Sequence, residues 1–352
     1  MGFRVAALFA LFGACLASPL ESSQLSPVRT IFEFPKNSYI ENLAVRSNGQ
    51  ILVTDLSQSK LYLFDPSSKQ SEPILVHEFT ESLGLSGIAE YQPDVFAVIS
   101  GNASFTSNIS SAGTWNVWSV DMRGIDISTK NGKLALSSLP VIKNIAHVKP
   151  AQFLNGISLL SQKDQTLLVG DVNGGVIWRL DIETAHYEVV INNTYTALYS
   201  SPPFSASGVD GVHVRGDNVY FANFGNGTFN KMPINANGTP AGLVTTIANI
   251  KSLPDEFDDF TFDCDGNAFL VTGGGNSIEM ITADGQHQVI IAGNVNSTAI
   301  AEPTSCAFGR GLNDKNVLYV VTAGGMQVPV NGDIVIGGQL VAVTTNSRGS
   351  SC

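Results

Sequence analysis

Three carboxylates occupy matching places in a chain that repeats itself: Glu41 in IENLAV, Asp210 in VDGVHV and Asp258 in FDDFTF. Ser86 in LSGIAEY, Asn155 in LNGISLL and Thr304 in PTSCAF hold the same place in the remaining copies. If the copies form a ring, six oxygen-bearing side chains converge on one axis. Carboxylates brought face to face repel unless protons or a cation come between them. Oxygen donors of mixed charge suit Ca²⁺ best, with Mg²⁺ or Zn²⁺ as alternatives. Without a cation, the same groups would hydrogen-bond water and one another in a wet channel. The five histidines, His77, His147, His186, His213 and His287, show no metal-ligand spacing. No G-x-S-x-G elbow and no phosphate-cradling loop occurs.

The elements that must position these residues are short strands. In FLNGISLL an Asn-Gly pair, usually a hairpin signal, interrupts an apolar run that continues through Leu154, Ile157 and Leu159. The run does not turn, so the pair belongs to a strand: Asn155 points at the axis and Gly156 lets neighbouring backbones converge. The six equivalent positions lie 45, 69, 55, 48 and 46 residues apart. Each copy reads as strand, Gly/Asn/Asp turn, β-rich strand, turn and third strand. One more β-rich run stands ahead of each copy: RTIFEF, PILVHEF, LPVIKNI, YEVVINN, LVTTIAN and HQVIIAG. Four-stranded units at this period predict an all-β, six-bladed propeller occupying residues 18–352 as one domain. RTIFEF has no earlier blade to complete, so it should pair with GGQLVAVTT of the last copy and close the ring. Trp115, Trp118 and Trp178 fall on later strands and should pack between blades.

Composition bounds the partners. The net charge is −11, with no basic run, which excludes the phosphate-binding surface of a nucleic-acid binder and disfavours anionic membranes. Residues 1–17 carry Arg4, an apolar run from Val5 to Phe12 and small residues ending at Ala17: a secretory signal too short to span a membrane. A lipobox at Cys15 is the alternative, with Phe12 where an aliphatic residue is expected. Six N-x-[ST] acceptors follow, at Asn102, Asn108, Asn192, Asn226, Asn237 and Asn296, all in turn-rich stretches. A glycoprotein of the secretory pathway, or one secreted from it, is the expectation. Cysteines 264, 306 and 352 then remain, as a Cys264–Cys306 disulfide with Cys352 left over, or as three free thiols. Nothing in the chain sets an oligomeric state.

These motifs carry two resemblances. IENLAV, FLNGIS and GVDGVHV are similar to motifs of the gluconolactonase/regucalcin superfamily of six-bladed propellers, which hold one divalent cation on the channel axis through Glu, Asn and Asp. The likeness implies Glu41, Asn155 and Asp210 as ligands, and a metal-dependent lactonase or esterase as one function. The second blade departs from it: Leu85 and Ser86 stand where family lactonases place an Asn-Asp pair for substrate contact. A polyhydroxylated lactone needs paired donors and acceptors there.

The second resemblance covers nearly the whole chain. ENLAVRSNGQILVTD, LYLFDP, QPDVFAVISGN, VIWRLDIETAHYEVV, DGVHVRGDNVYF and KNVLYVVTAGG resemble secreted fungal propellers typified by hetero-Diels–Alderases. Those proteins join an o-quinone-methide tropolone to humulene in tropolone-sesquiterpenoid (meroterpenoid) biosynthesis. The likeness implies a pericyclase that needs no cofactor, acting on small apolar and polyketide-derived partners.

Such a reaction requires an apolar pocket with few polar groups. The loops entering the inner strands would build it from Tyr39, Leu85, Phe153, Tyr195, Tyr199, Phe204 and Phe257, with Ser86, Asp258 and Thr304 at its floor. Lys149 and His147, or a protonated Glu41, are the candidate acids. An extracellular binding propeller without catalysis is the third function carried forward.

Overall fold

β-branched and aromatic residues, punctuated by Gly, Asn and Asp turns, fold into six four-stranded antiparallel sheets set in a ring. The computed structural model describes residues 25–68, 71–104, 109–130, 132–200, 205–250 and 255–349, and these contain no helix. The inner strands are Ile40–Val45, Gly84–Gln92, Leu154–Ser161, Val209–Arg215, Phe257–Phe262 and Pro303–Phe308. Each contacts the next, and the last contacts the first. Among the described residues no helix is long and apolar enough to cross a membrane.

The ring closes as the orphan first strand requires. Val28–Lys36 pairs antiparallel with Gly337–Thr344, matching Val28 to Val343 and Phe32 to Leu340. Phe34 then packs edge-on to Phe32 and Phe64, with ring centroids 5.0 and 6.0 Å away, in a buried cluster with Ile40, Tyr319 and Leu340. The first and last blades are thus welded by apolar burial as well as by backbone bonds. The 69-residue spacing reflects two extra hairpins in the second blade. One pairs Ile127–Lys130 with Lys133–Leu136; the other pairs Ala103–Ser104 with Ile109–Ser110. The tryptophans do pack between blades. Trp118 meets Phe79 of the first blade edge-on at 5.5 Å, and Trp115 stacks on Phe153 at 4.8 Å.

The Asn-Gly question has a geometric answer. All six inner strands carry a register shift at the equivalent position, including Ile40/Asn42, Leu154/Ile157 and Val209/Val212. The extra residue of such a bulge leaves the ladder and re-aims its side chain. A Cβ on Gly156 would meet the Asp210 carbonyl oxygen at 2.2 Å, and one on Gly87 the Asn155 carbonyl oxygen at 2.1 Å. Only glycine lets these strands approach so closely.

The cysteines differ from expectation. Cys306 is a free, buried thiol 3.3 Å from the Phe269 carbonyl oxygen, because its inner-strand side chain points into the packed interface between blades. Cys264 is disulfide-bonded, so its partner lies outside the described residues. Cys352 and the signal segment 1–17 lie there too. Among the glycan acceptors Asn192, Asn226, Asn237 and Asn296 are exposed, Asn102 is half-buried, and Asn108 lies outside the described residues.

Candidate functional site

The bulges deliver side chains to a cavity of about 360 Å³ at the mouth where the inner strands begin. Glu41, Asn155, Asp210 and Asp258 line it, and the Asn155 amide donates to Glu41 Oε1 at 2.6 Å. The other two equivalent residues do not. Ser86 Oγ donates to the Leu154 carbonyl at 2.7 Å and Thr304 Oγ1 to the Ile40 carbonyl at 2.7 Å. Their short hydroxyl side chains clip neighbouring inner strands together instead of reaching the axis.

Burial dominates the electrostatics. Glu41 is pushed up to about 7 by burial and by the Asp259 charge, against the lowering effect of the Asn155 amide. Asp210 and Asp258 are raised well above the usual carboxylate range, first by burial; Glu41 and Asp259 then add to the rise at Asp210, and Asp210 and Glu41 to that at Asp258. A second layer sits beneath. Asp259 accepts from Asn42 at 3.1 Å and Ser305 at 2.8 Å, and its other oxygen lies 2.9 Å from His213 Nε2. Burial alone would raise Asp259, but His213, Ser305 and the Phe260 amide together pull it below the ordinary value. Asp259 is therefore held toward its anionic form beneath acids whose hold on their protons is strengthened.

These donors suit a hard divalent cation in kind, as carboxylate and amide oxygens. Among the described residues, however, no group of three or more His, Cys, Asp or Glu is spaced to hold a metal ion. Glu41, Asn155 and Asp210 would have to supply any such site together.

One wall was not legible in the repeat. Buried Tyr39 donates to Gln327 Oε1 at 3.2 Å, and the Gln327 backbone N–H donates to both Glu302 oxygens at 3.2 and 3.0 Å. Burial raises Tyr39 well above the usual phenol value, and the nearby acids add to this. Val172, Phe224 and Met326 supply apolar surface from the turns that follow second strands. The Gly/Asn-rich sequences at those turns (VNGGV, FGNGT, AGGMQ) were the available signal. Ala103 and Ser110, from the extra hairpin, complete the rim.

Other sequence-selected residues fall elsewhere. Phe153 lines the cavity, as does Tyr39. Leu85 and Phe257 are fully buried in inter-blade clusters, because both sit on the face of the strand opposite the bulged residue. Tyr195 and Tyr199 are more than a third exposed on the loop before the fourth blade, and Phe204 lies outside the described residues. Lys149 and His147 do not line the cavity: both are exposed, and His147 Nε2 contacts the Gly113 carbonyl oxygen at 2.8 Å.

No family model matches the chain. Two curated relatives do, each named "Putative hetero-Diels-Alderase". One, from Phoma sp, is 27% identical over 91% of this chain and 95% of its own length. Another, from Sarocladium schorii, is 25% identical over 91% of this chain and 84% of its own. Over nearly its whole length, the chain is similar to proteins that carry that name. Solved structures carry the fold likeness further. A luciferin-regenerating enzyme superposes with a TM-score of 0.62 at 17% identity, covering 92% of this chain and 97% of its own. The calcium-binding protein regucalcin from Agrobacterium tumefaciens gives 0.58 at 14%, with the same coverages. These likenesses show the fold alone, a six-bladed β-propeller.

Proposed function

We propose that the cavity is the active site of a hetero-Diels–Alderase that joins an o-quinone-methide tropolone to a humulene-type sesquiterpene. The observation that carries this reading is the likeness to proteins of that name over 91% of the chain. The reaction makes one C–C and one C–O bond from a four-atom oxadiene and an alkene, closing a dihydropyran. No atom leaves and no external electrons enter. The protein must therefore hold both partners in contact and stabilise charge developing on the oxadiene oxygen.

The site's chemistry supports those two tasks. Phe153, Val172, Phe224 and Met326 give the terpene apolar surface, while Tyr39, Glu41 and Asp258 present oxygen groups to the same cavity. The Tyr39 hydroxyl, which donates to Gln327 Oε1 in the free protein, can turn its proton to the oxadiene oxygen once substrate is seated. If water must first be expelled to form the quinone methide, protonated Glu41 is better placed to supply the acid than exposed Lys149 or His147. A secretory-pathway location accords with the exposed acceptors Asn192, Asn226, Asn237 and Asn296.

A second reading, a lactonase or esterase with one bound divalent cation, draws on the meeting of Glu41, Asn155 and Asp210 in one cavity. Calcium is the cation those oxygens suit best, polarising a carbonyl when bound. Purified protein incubated with humulene and a tropolone alcohol should form the dihydropyran adduct at a rate proportional to enzyme and unchanged by EDTA. No adduct above the uncatalysed rate overturns the first reading. Lactone hydrolysis abolished by EDTA would establish the second, and saturable binding without turnover would leave a binding propeller.

A further inference from the structure

Gln327 belongs to none of the six equivalent positions, yet it lines the cavity beside Met326. One end of its side-chain amide is engaged: Oε1 accepts from the buried Tyr39 hydroxyl at 3.2 Å. That bond sets which end of the amide faces Tyr39. The other end, Nε2, donates to no described residue and is not sealed from solvent, and Gln327 as a whole is half-buried. The amide therefore keeps its N–H donors open at the cavity.

The loop that carries Gln327 is held by unusual means. Glu302, only 2% exposed, sits in the left-handed region at φ +52°, which a residue with a side chain seldom adopts. Its backbone N–H donates to Asn276 Oδ1 at 2.7 Å. Its carboxylate accepts from the Gln327 backbone N–H, and those of Met326 and Val328 converge on it as well. Farther along, Ile336 N donates to the Gly324 carbonyl at 2.9 Å, and Val330 pairs with Ile334. Burying an acid on a strained backbone adds nothing to the apolar core. Its structural result is to hold residues 326–328 in one place at the cavity wall, as a binding side chain requires.

We infer that Gln327 is a specificity-determining residue whose Nε2 donates to an oxygen of the oxygenated partner, with Glu302 as the residue that positions it. This role requires the cavity to be the substrate site, as proposed above, but not that a cycloaddition takes place there. A tropolone-type ring carries two adjacent oxygens, and Tyr39 and Gln327 are adjacent donors. Tyr39 takes the reacting oxygen and Gln327 its neighbour, which fixes the way the ring faces. A hydrocarbon ring of the same shape leaves these donors unpaired and is rejected.

Titration calorimetry and infrared spectra of the full chain test this with tropolone and cycloheptatriene, the same ring with and without oxygen. EDTA is present, so that chelation by tropolone contributes nothing. Wild type should bind tropolone at least about 10-fold more tightly than cycloheptatriene. Gln327→Met, close in shape but without the donor, should weaken tropolone about 5- to 20-fold and leave cycloheptatriene within about twofold. The carbonyl stretch of bound tropolone should move to higher frequency in the variant, a change that altered folding alone does not give. Gln327→Leu repeats the comparison if the methionine variant lacks a wild-type circular dichroism spectrum. Equal tropolone affinity in wild type and variant overturns the inference, as does an unmoved carbonyl stretch. So does an equal loss for both probes, or a wild type that does not distinguish them. A differential loss in a protein that forms no cycloadduct would overturn the proposed reaction and leave the role of Gln327 standing. Adduct formation with unchanged tropolone affinity would do the reverse.

Discussion

At the scale of single residues, Tyr39 and Glu302 set the chemistry of one wall. Tyr39 is buried, holds its proton firmly and faces the acids of the inner strands. If it donates to the oxadiene oxygen, Tyr39→Phe removes one preorganised donor and should lower kcat by about 10²-fold, with KM changed much less. Steady-state kinetics on variant protein with a wild-type circular dichroism spectrum checks this. Glu302 is pushed up to about 8, mainly by burial, and Glu41 adds to the rise while backbone amides oppose it. It binds its proton more tightly folded than unfolded, where its value is near 4.5. Its contribution to stability is thus complete below about 4.5 and is lost as pH rises through about 8. Melting temperature should fall by about 5 °C or more between pH 5 and pH 8.5. Glu302→Gln, which cannot ionise, should flatten that decline.

At the scale of the element, the bulged inner strand converts a repeat into a site. Asn155 and Gly156 act as a pair: the bulge turns the amide to the axis, and the missing Cβ lets the next strand close in. Gly156→Ala places a methyl group on the Asp210 carbonyl and near Val212 N, both backbone atoms that cannot swing aside. It should cost about 2–4 kcal/mol, read as a lower urea midpoint at unchanged m-value. The same bulge explains which neighbours face away. Leu85 and Phe257 directly precede bulged residues and so enter the inter-blade core. They read as pocket residues because the sequence placed them in the loops entering the inner strands, whereas both lie on those strands.

At the scale of the whole molecule, stability depends on closing the ring. Strand Val28–Lys36 covers the edge of Gly337–Thr344 and brings Phe32 and Phe34 against Phe64. Deleting residues 25–36 would expose an apolar strand edge and leave the first and last blades unjoined. The truncated protein should lose its cooperative thermal transition and elute as aggregate in size-exclusion chromatography. A truncated form that stays monomeric and melts near the wild-type temperature would show that burial elsewhere suffices to hold the ring.

The repeat, the six blades and the closing strand were all legible in the chain itself. Each follows from local rules, namely alternation, turn residues and a constant period, and every copy states them again. The convergence of Glu41, Asn155, Asp210 and Asp258 was legible for the same reason. Tertiary structure alone decided which equivalents reach the cavity, since Ser86 and Thr304 have side chains that meet a neighbouring carbonyl first. It also decided that Cys306 stays free, that Asp259 lies beneath the acids with His213, and that Gln327 shares the cavity. These outcomes depend on ring curvature and on loops from distant blades meeting in space. Such contacts join residues as far apart as Tyr39 and Gln327, and no local pattern encodes them.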